Sequence, residues 1–436
     1  MSDVFGALRA EIGIIPVITR IGRVVEVESG TVRVAGLSQA ACLGDRVRIT
    51  SARRQTGGEV LRLSRDGLTV LPDDRLEGIA IGDEVALIGQ SDIAPDDGWI
   101  GRIVDPFGQP LDGRPLLRGE RPRPLRAAAP AAAARGRLGQ RLSTGVAVFD
   151  TMLPIVQGQR IGLFAGSGVG KSSLLAKLAR GMMADVVVIG LVGERGRELR
   201  EFTETVLGPR GMARAVVVAA TSDQSSLIRR RCLWAAMAVA EHFRDQGRHV
   251  LLLADSVTRF AEAHREIALA AGEEGALGGY PPSVAHLIMS LAERAGPGPE
   301  GWGDITAVFS VLVPGSDMEE PVADILRGVL DGHVVLDRKI AERGRYPAID
   351  LLRSVSRSLP GAATEEENAL IQQARKLLGA YDRAELMIQT GLYTAGSDAQ
   401  IDQAVRVWPA LDGFLSEDAP DGIDSSFRRL AACLTG

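Results

Sequence analysis

Phe164–Ser173 reads FAGSGVGKSS and leaves the short apolar run GQRIGLF, which has the pattern of a strand. A strand that ends in a loop of small residues and opens a helix turns several backbone N–H groups toward one point, and the helix dipole adds to their field. Gly166, Ser167, Gly168, Val169 and Gly170 let the main chain wrap phosphate oxygens closely, and Ser173 completes the run. Lys171 is placed to reach the β- and γ-phosphates, and the Ser172 hydroxyl to ligate Mg²⁺. The first position of the pattern G-x-x-x-x-G-K-[ST] is Ala165 rather than glycine, a small cost where φ is negative. A glycine-rich turn without chemistry is the plain alternative. Strand, loop, lysine and serine in that order argue instead for a nucleotide site.

Hydrolysis needs a positioned water, Mg²⁺ and positive charge on the γ-phosphate. Asp255 ends the apolar run VLLLAD, where a carboxylate at the carboxyl edge of a sheet faces the ligand crevice and can hold Mg²⁺. Arg259, four residues on, is near the same edge. Glu194 ends DVVVIGLVGE, where a carboxylate can orient or deprotonate the attacking water. Each acid alone could be a solvated strand-end charge. Beside a phosphate loop they form a constellation.

The elements that position these residues follow from periodicity. Asp185–Gly193, Ala213–Ala220, His249–Asp255 and Ile305–Val313 are apolar runs of the kind buried on both faces of a parallel sheet, and helical segments such as Ser172–Met183 and Ser226–Gln246 alternate with them. The first ~95 residues are different in texture. GRVVEVESGTVRVAGL, GDRVRITSA and GDEVALIG are short, Val-rich and broken by turn residues, which predicts a small antiparallel barrel or sandwich. Asp3–Ile12 reads either as an amphipathic helix or as a frayed terminus. Gly101–Leu117 is a turn-rich connector, Pro122–Gly139 an exposed Pro/Ala/Arg linker or strap, and the chain from about Glu365 is helix-rich.

Composition excludes several classes. The chain has 436 residues and a net charge of −5, so no global basic field invites nucleic acid, and aromatics at 4% leave few platforms for stacking bases. Three cysteines, Cys42, Cys232 and Cys433, suit a reducing cytoplasm. No apolar run reaches the roughly 18 residues that span a bilayer.

Longer stretches carry a family resemblance. STGVAVFDTMLPIVQGQRIGLFAGSGVGKSSLL, VGERGRELREF, LLLADSVTRFAEAHREIALAAGE and PVADILRGVLDGHVVLDRKIAERGRYPAIDLLRSVSR resemble the catalytic ATPases of bacterial type III protein export, relatives of the rotary ATP synthase catalytic subunits. The likeness runs from about Gly22 to about Leu415. It implies a RecA-like P-loop NTPase core of α/β class over residues 96–364, a small β-barrel over 21–95, a regulatory helix over 1–20 and a C-terminal helical domain over 365–436. It assigns Lys171 and Ser172 to phosphate and Mg²⁺, Glu194 to the catalytic carboxylate with Arg195 beside it, Asp255 to the metal and Arg259 to the γ-phosphate. Tyr346 matches the position whose ring packs on adenine, with a core tyrosine as the alternative, and Arg357 matches an arginine finger offered to a neighbouring subunit. ATP and Mg²⁺ are the implied cofactors. The implied partners are five further copies in a homohexamer, a stator-like negative regulator at the N-terminus, a central stalk protein, the export gate and chaperone–substrate complexes. The expected location is cytoplasmic and peripheral at the inner-membrane export apparatus.

Thr390–Val405, TGLYTAGSDAQIDQAV, resembles the flagellar branch with its Gly-Ser-Asp, where injectisome ATPases more often have Gly-Val-Asp. Two departures stand out: SVAHLIMSLAERAG after Pro282 lacks the family's Phe and Leu-Pro pair, and GEEGALGGYPPS is richer in glycine than usual. A rotary synthase subunit is the nearest rival, but one chain here carries both Glu194 and Arg357. An RNA translocase on the same core would want an aromatic N-terminal barrel, and residues 20–95 contain no Phe, Tyr or Trp. A non-catalytic nucleotide-binding subunit would lack Glu194.

Overall fold

The computed structural model describes residues 18–28, 30–313 and 318–435, with Gly6 and residues 12–13 ahead of them. The stretch Asp3–Ile12, read as helix or frayed end, therefore lies outside the described residues apart from Gly6 and Ile12. Six strands come first: β1 (Arg20–Val27), β2 (Val32–Ala35), β3 (Arg46–Thr50), β4 (Gln55–Ser64), β5 (Gly67–Pro72) and β6 (Glu84–Gly89). They close antiparallel in the order β1-β2-β5-β4-β3-β6, so the barrel wins over the sandwich and leaves no open edge. Alternation sets the inside. In β3, Val47 and Ile49 point inward with Val24, Val34, Val60, Leu68, Val70 and Val85, while Arg48 faces solvent.

The following strands are β7 (Asp92–Ile93), β8 (Arg102–Val104), β9 (Arg123–Pro124), β10 (Arg160–Ala165), β11 (Val186–Glu194), β12 (Ala215–Thr221), β13 (Val250–Asp255), β14 (Ile305–Leu312), β15 (Gly332–Leu336) and β16 (Ile349–Ser356). Eight of them form one sheet in the order β16-β15-β10-β14-β13-β11-β12-β8, parallel except for β16 on β15. The long apolar runs feed two cores at once. Val187, Ile189 and Leu191 of β11 face one side, and Val186, Val188 and Val192 face the other. One core is completed by helices Ser226–Arg244, Val257–Ala270 and Ser283–Glu293. The other takes helix Lys171–Gly181 and the C-terminal helices Glu365–Gln389, Ala399–Phe414 and Gly422–Thr435. Thr364 and Glu367 cap the first of these C-terminal helices reciprocally, and Tyr381 stacks on Trp408 across the second at 4.5 Å. Asp398, in the Gly-Ser-Asp turn, caps Ala399–Phe414 by accepting from Gln400 N and Ile401 N.

The Pro/Ala/Arg stretch is a pinned strap. β9 pairs with β7, Arg123 binds Asp245, Arg126 binds Glu59, and Arg135 bridges to Glu293 at 3.0 Å. Deeper still, Arg294 grips Glu241 with both ends of its guanidinium at 2.8 and 2.6 Å, and its third bond goes to the Leu125 carbonyl. The two side chains are 2% and 5% exposed. Losing one partner strands a buried charge, which typically costs about 3–5 kcal/mol. Arg294→Ala should therefore lower the urea midpoint of the full chain by that equivalent, and Arg294→Ala with Glu241→Ala should recover part of the loss.

Candidate active site

β10 ends at Ala165, a paired strand residue opposite Leu312, so the position needs no glycine. Gly168 and Gly170 do need theirs, with φ of +77° and +84°. Helix Lys171–Gly181 starts directly after them. The loop, together with Gly193, Glu194, Arg195, Glu198, Ser222, Arg229, Arg259 and Leu312, lines a cleft of about 730 Å³. Val169 points away from it into the core, 1% exposed.

Asp255 is buried behind Lys171, a residue of the cleft lining, and is 2% exposed. Its Oδ1 takes an ion pair from Lys171 Nζ and a hydrogen bond from Ser310 Oγ at 2.7 Å. Sheet order makes this meeting possible, because β14 lies between β10 and β13 and carries Ser310 alongside both. Ser256 caps the helix that follows, accepting from Arg259 N, and Arg259 pairs with Glu262 at 2.9 Å. Among the described residues no three His, Cys, Asp or Glu side chains gather as a metal cage. The two residues expected to hold Mg²⁺ carry oxygen ligands of the kind that ion takes: Ser172 lines the cleft, and Asp255 is paired with Lys171.

Glu194 reaches the cleft through a break in the β11–β12 register between Val192 and Glu194, where Gly193 has φ +69°. Such a bulge re-aims the side chain after it. Burial first, then the charge of Asp255 and a hydrogen bond with Glu198, push the Glu194 carboxyl up to about 7 against the pull of Lys171. That is a carboxyl poised to exchange a proton near neutrality. Arg195 is exposed on the cleft wall, 3.4 Å from Glu198.

Two expected residues, Tyr346 and Arg357, are not in the cleft lining. Tyr346 is 50% exposed, so it is not a core tyrosine, and its ring lies against the loop: a Cβ on Gly170 would stand 3.0 Å from it. Arg357 is exposed beyond the end of β16, outside this chain's own cleft, and its guanidinium donates to the Arg327 carbonyl at 3.2 Å. Sequence reading missed Ser310, Glu198 and Arg229. Ser310 had a signal, a lone hydroxyl inside ITAVFSVLV. Arg229, which chelates Glu266 at 3.0 and 2.9 Å, had none beyond its charge.

A glycine loop opening a helix, facing two strand-end carboxylates across one cleft, defines a P-loop nucleoside triphosphatase. Comparison with known proteins narrows the class. The model of the ATP synthase alpha/beta family nucleotide-binding domain matches residues 145–356, and that of the T3SS EscN ATPase C-terminal domain matches residues 363–432. The flagellum-specific ATP synthase of Caulobacter vibrioides is 45% identical over 427 residues, covering 96% of each chain. The type 3 secretion system ATPase of Xanthomonas euvesicatoria is 41% identical over 416 residues, covering 94% of this chain and 92% of its own. The assembled ATPase EscN of the enteropathogenic E. coli type III secretion system superposes with a TM-score of 0.87 at 35% identity, over 95% of this chain and 100% of its own. The same ATPase in complex with its central stalk EscO gives a TM-score of 0.85 at the same identity and coverage. The chain belongs to the ATP synthase alpha/beta family, in the branch of flagellar and type III secretion ATPases. It is an ATPase.

ATP hydrolysis followed as kcat/KM should lose rate as the pH falls through about 7, where Glu194 takes up its proton. Glu198→Ala removes a hydrogen bond and a negative charge that hold that proton, so the acid limb should move to lower pH by on the order of one unit. A limb that stays in place would belong to another group.

Proposed function

We propose that this ATPase energises export of flagellar proteins, hydrolysing Mg-ATP as a homohexameric ring. The observation that carries hydrolysis is the pairing of Lys171, in the cleft lining, with the buried Asp255, near a Glu194 that can accept a proton. In this mechanism the loop amides and Lys171 would hold the phosphates, and Ser172 and Asp255 would hold Mg²⁺, which would supply neutralising positive charge. Glu194 orients the attacking water and takes its proton. Glu198 adds to the affinity of Glu194 for that proton, behind burial and Asp255, and Arg195 organises the same wall. Arg259 faces the γ-phosphate, and Tyr346, against the loop and half-exposed, offers its ring to adenine. Lys171→Ala should abolish turnover and weaken nucleotide binding. A strain whose sole copy carries that substitution should lack filaments; normal filaments would overturn the flagellar assignment.

Support for the flagellar branch comes from the Caulobacter vibrioides relative and from the Gly396-Ser397-Asp398 turn. The solved EscN assembly with its stalk supports a ring around a central stalk protein. The wider reading adds a negative regulator docked on residues 1–20, an export gate, chaperone–substrate complexes and a peripheral place at the cytoplasmic face of the membrane. Among the described residues no helix is long and apolar enough to cross a membrane.

Arg357 is the finger in trans of this proposal. It is exposed, and it pairs with none of the described carboxylates, as a merely structural surface arginine would. A cation that meets charge only in the transition state affects turnover more than binding. Fingers of this kind contribute on the order of 10³–10⁵ in rate, roughly 4–7 kcal/mol. Arg357→Ala should bind ATP almost normally and turn it over at that reduced rate. Mixed with Lys171→Ala chains, it should regain activity, because some sites then join an intact loop to an intact finger. No rescue in rings proven to be mixed would rule out shared sites.

A further inference from the structure

Away from the nucleotide cleft, one hydrogen-bonded line runs through three parts of the molecule. It begins in the barrel at Glu59 on β4, 8% exposed, whose Oε1 accepts from Arg230 Nη2 at 2.7 Å and from Arg126 of the strap. Both guanidiniums also lie on the Trp234 ring, at 4.9 and 4.7 Å. Arg230 Nη1 is 3.2 Å from His264 Nδ1, and His264 Nε2 is 2.9 Å from Ser283 Oγ. Ser283 then gives its hydroxyl and its amide to the two oxygens of Glu273, at 2.6 and 2.9 Å.

Chemistry fixes the direction of this line. A guanidinium has no acceptor, so His264 Nδ1 must accept, and the ring proton sits on Nε2. That proton goes to Ser283, whose own proton goes to Glu273. Only a neutral imidazole can take this place. Burial first and then Arg230 push the His264 pKa down to about 4, with Arg126 adding to them and Glu273 and Glu59 opposing. At the barrel end burial raises the Glu59 pKa, but Arg230 and Arg126 outweigh it and keep the carboxyl below its ordinary value.

The position of His264 gives the line a use. It lies in helix Val257–Ala270, which starts two residues after Asp255 and carries Arg259 into the cleft. Arg229, beside Arg230 in sequence, lines that cleft and holds Glu266 of the same helix. Consecutive arginines thus tie one helix to the nucleotide side and to the barrel side. Glu273 belongs to the glycine-rich segment between that helix and Ser283–Glu293.

We propose that Glu59, Arg230, His264, Ser283 and Glu273 form a coupling line that ties the barrel to the segment 272–282, and through which a shift of helix Val257–Ala270 on nucleotide binding reaches both together. The nucleotide part rests on the ATPase reading; the line itself does not.

Hydrogen–deuterium exchange on the full chain separates the two. Without nucleotide, Glu59→Gln should speed exchange across 272–283 by about tenfold although Glu59 is in the barrel, and Ser283→Ala should do the same for β4. The double variant should be no worse than the worse single one. His264→Leu should reproduce both effects, and His264→Gln, whose amide keeps an acceptor and a donor, should restore protection to within about twofold. Unchanged exchange across 272–283 in Glu59→Gln, or a Gln variant no better than the Leu variant, overturns the line as a coupled unit. With a non-hydrolysable Mg-ATP analogue, wild type should gain protection in the cleft, β4 and 272–283 together, and His264→Leu in the cleft alone. Protection confined to the cleft in wild type overturns transmission while the ATPase reading survives; no protection in the cleft is the failure of that reading.

Discussion

A carboxylate that is 2% exposed at the middle of a parallel sheet is tolerable only if something cancels its charge, and in this chain Lys171 and Ser310 do so. Removing one partner of a buried pair usually costs about 3–5 kcal/mol, so this contact constrains everything around it. It requires β10, β14 and β13 to be neighbours in that order. It requires the loop before Lys171 to turn through left-handed backbone at Gly168 and Gly170, so that the lysine falls back over the sheet edge. Close by, burial and then the charge of Asp255 raise the Glu194 carboxyl to about 7, and Lys171 opposes them. In the proposed mechanism incoming phosphates would compete with Asp255 for the same lysine, so that binding would exchange one ion pair for another.

Arginine does the corresponding work at the seams between parts. Arg231 lies on Phe107 at 4.4 Å with Arg46 of the barrel on the same ring at 5.4 Å, and Arg231 also reaches the Pro106 and Asp92 carbonyls at 2.9 Å. Arg102 takes Asp112 with two bonds of 2.6 and 2.8 Å and adds the carbonyls of Arg114 and Pro115. A planar fork with five donors can satisfy a carboxylate, a carbonyl and a ring face together, which a lysine cannot. The turn-rich connector is fixed to the core in this way.

Much of this was readable from sequence, for physical reasons. Strands buried on both faces are written as unbroken apolar runs, so His249–Asp255 and Ile305–Val313 were read within a residue of Val250–Asp255 and Ile305–Leu312. The phosphate loop was readable because its small residues are needed where they stand. Arg102–Val104 was not: read as part of a turn-rich connector, it is a three-residue edge strand formed only because β12 offers it a partner. The π-helical turn Phe202–Leu207, between two short α-helices, left no trace of the α-helical period either. The contact of Lys171 with Asp255 joins residues 84 apart, and it depends on strand order, which no local pattern encodes. Ser310 and Arg229 came into the site by the same route.

Three segments by composition become two bodies by packing. The barrel has an apolar interior of its own, from Val24 to Val85, and meets the remainder through charged and aromatic contacts. The C-terminal helices have none: Ile371, Leu377, Leu411 and Leu430 share one core with Leu163 and Ile189 of the sheet. For anyone assembling chimaeras from related ATPases, the barrel is the transplantable module. A foreign C-terminal bundle would have to bring half of the sheet's hydrophobic lining with it, so the two are inherited as one piece.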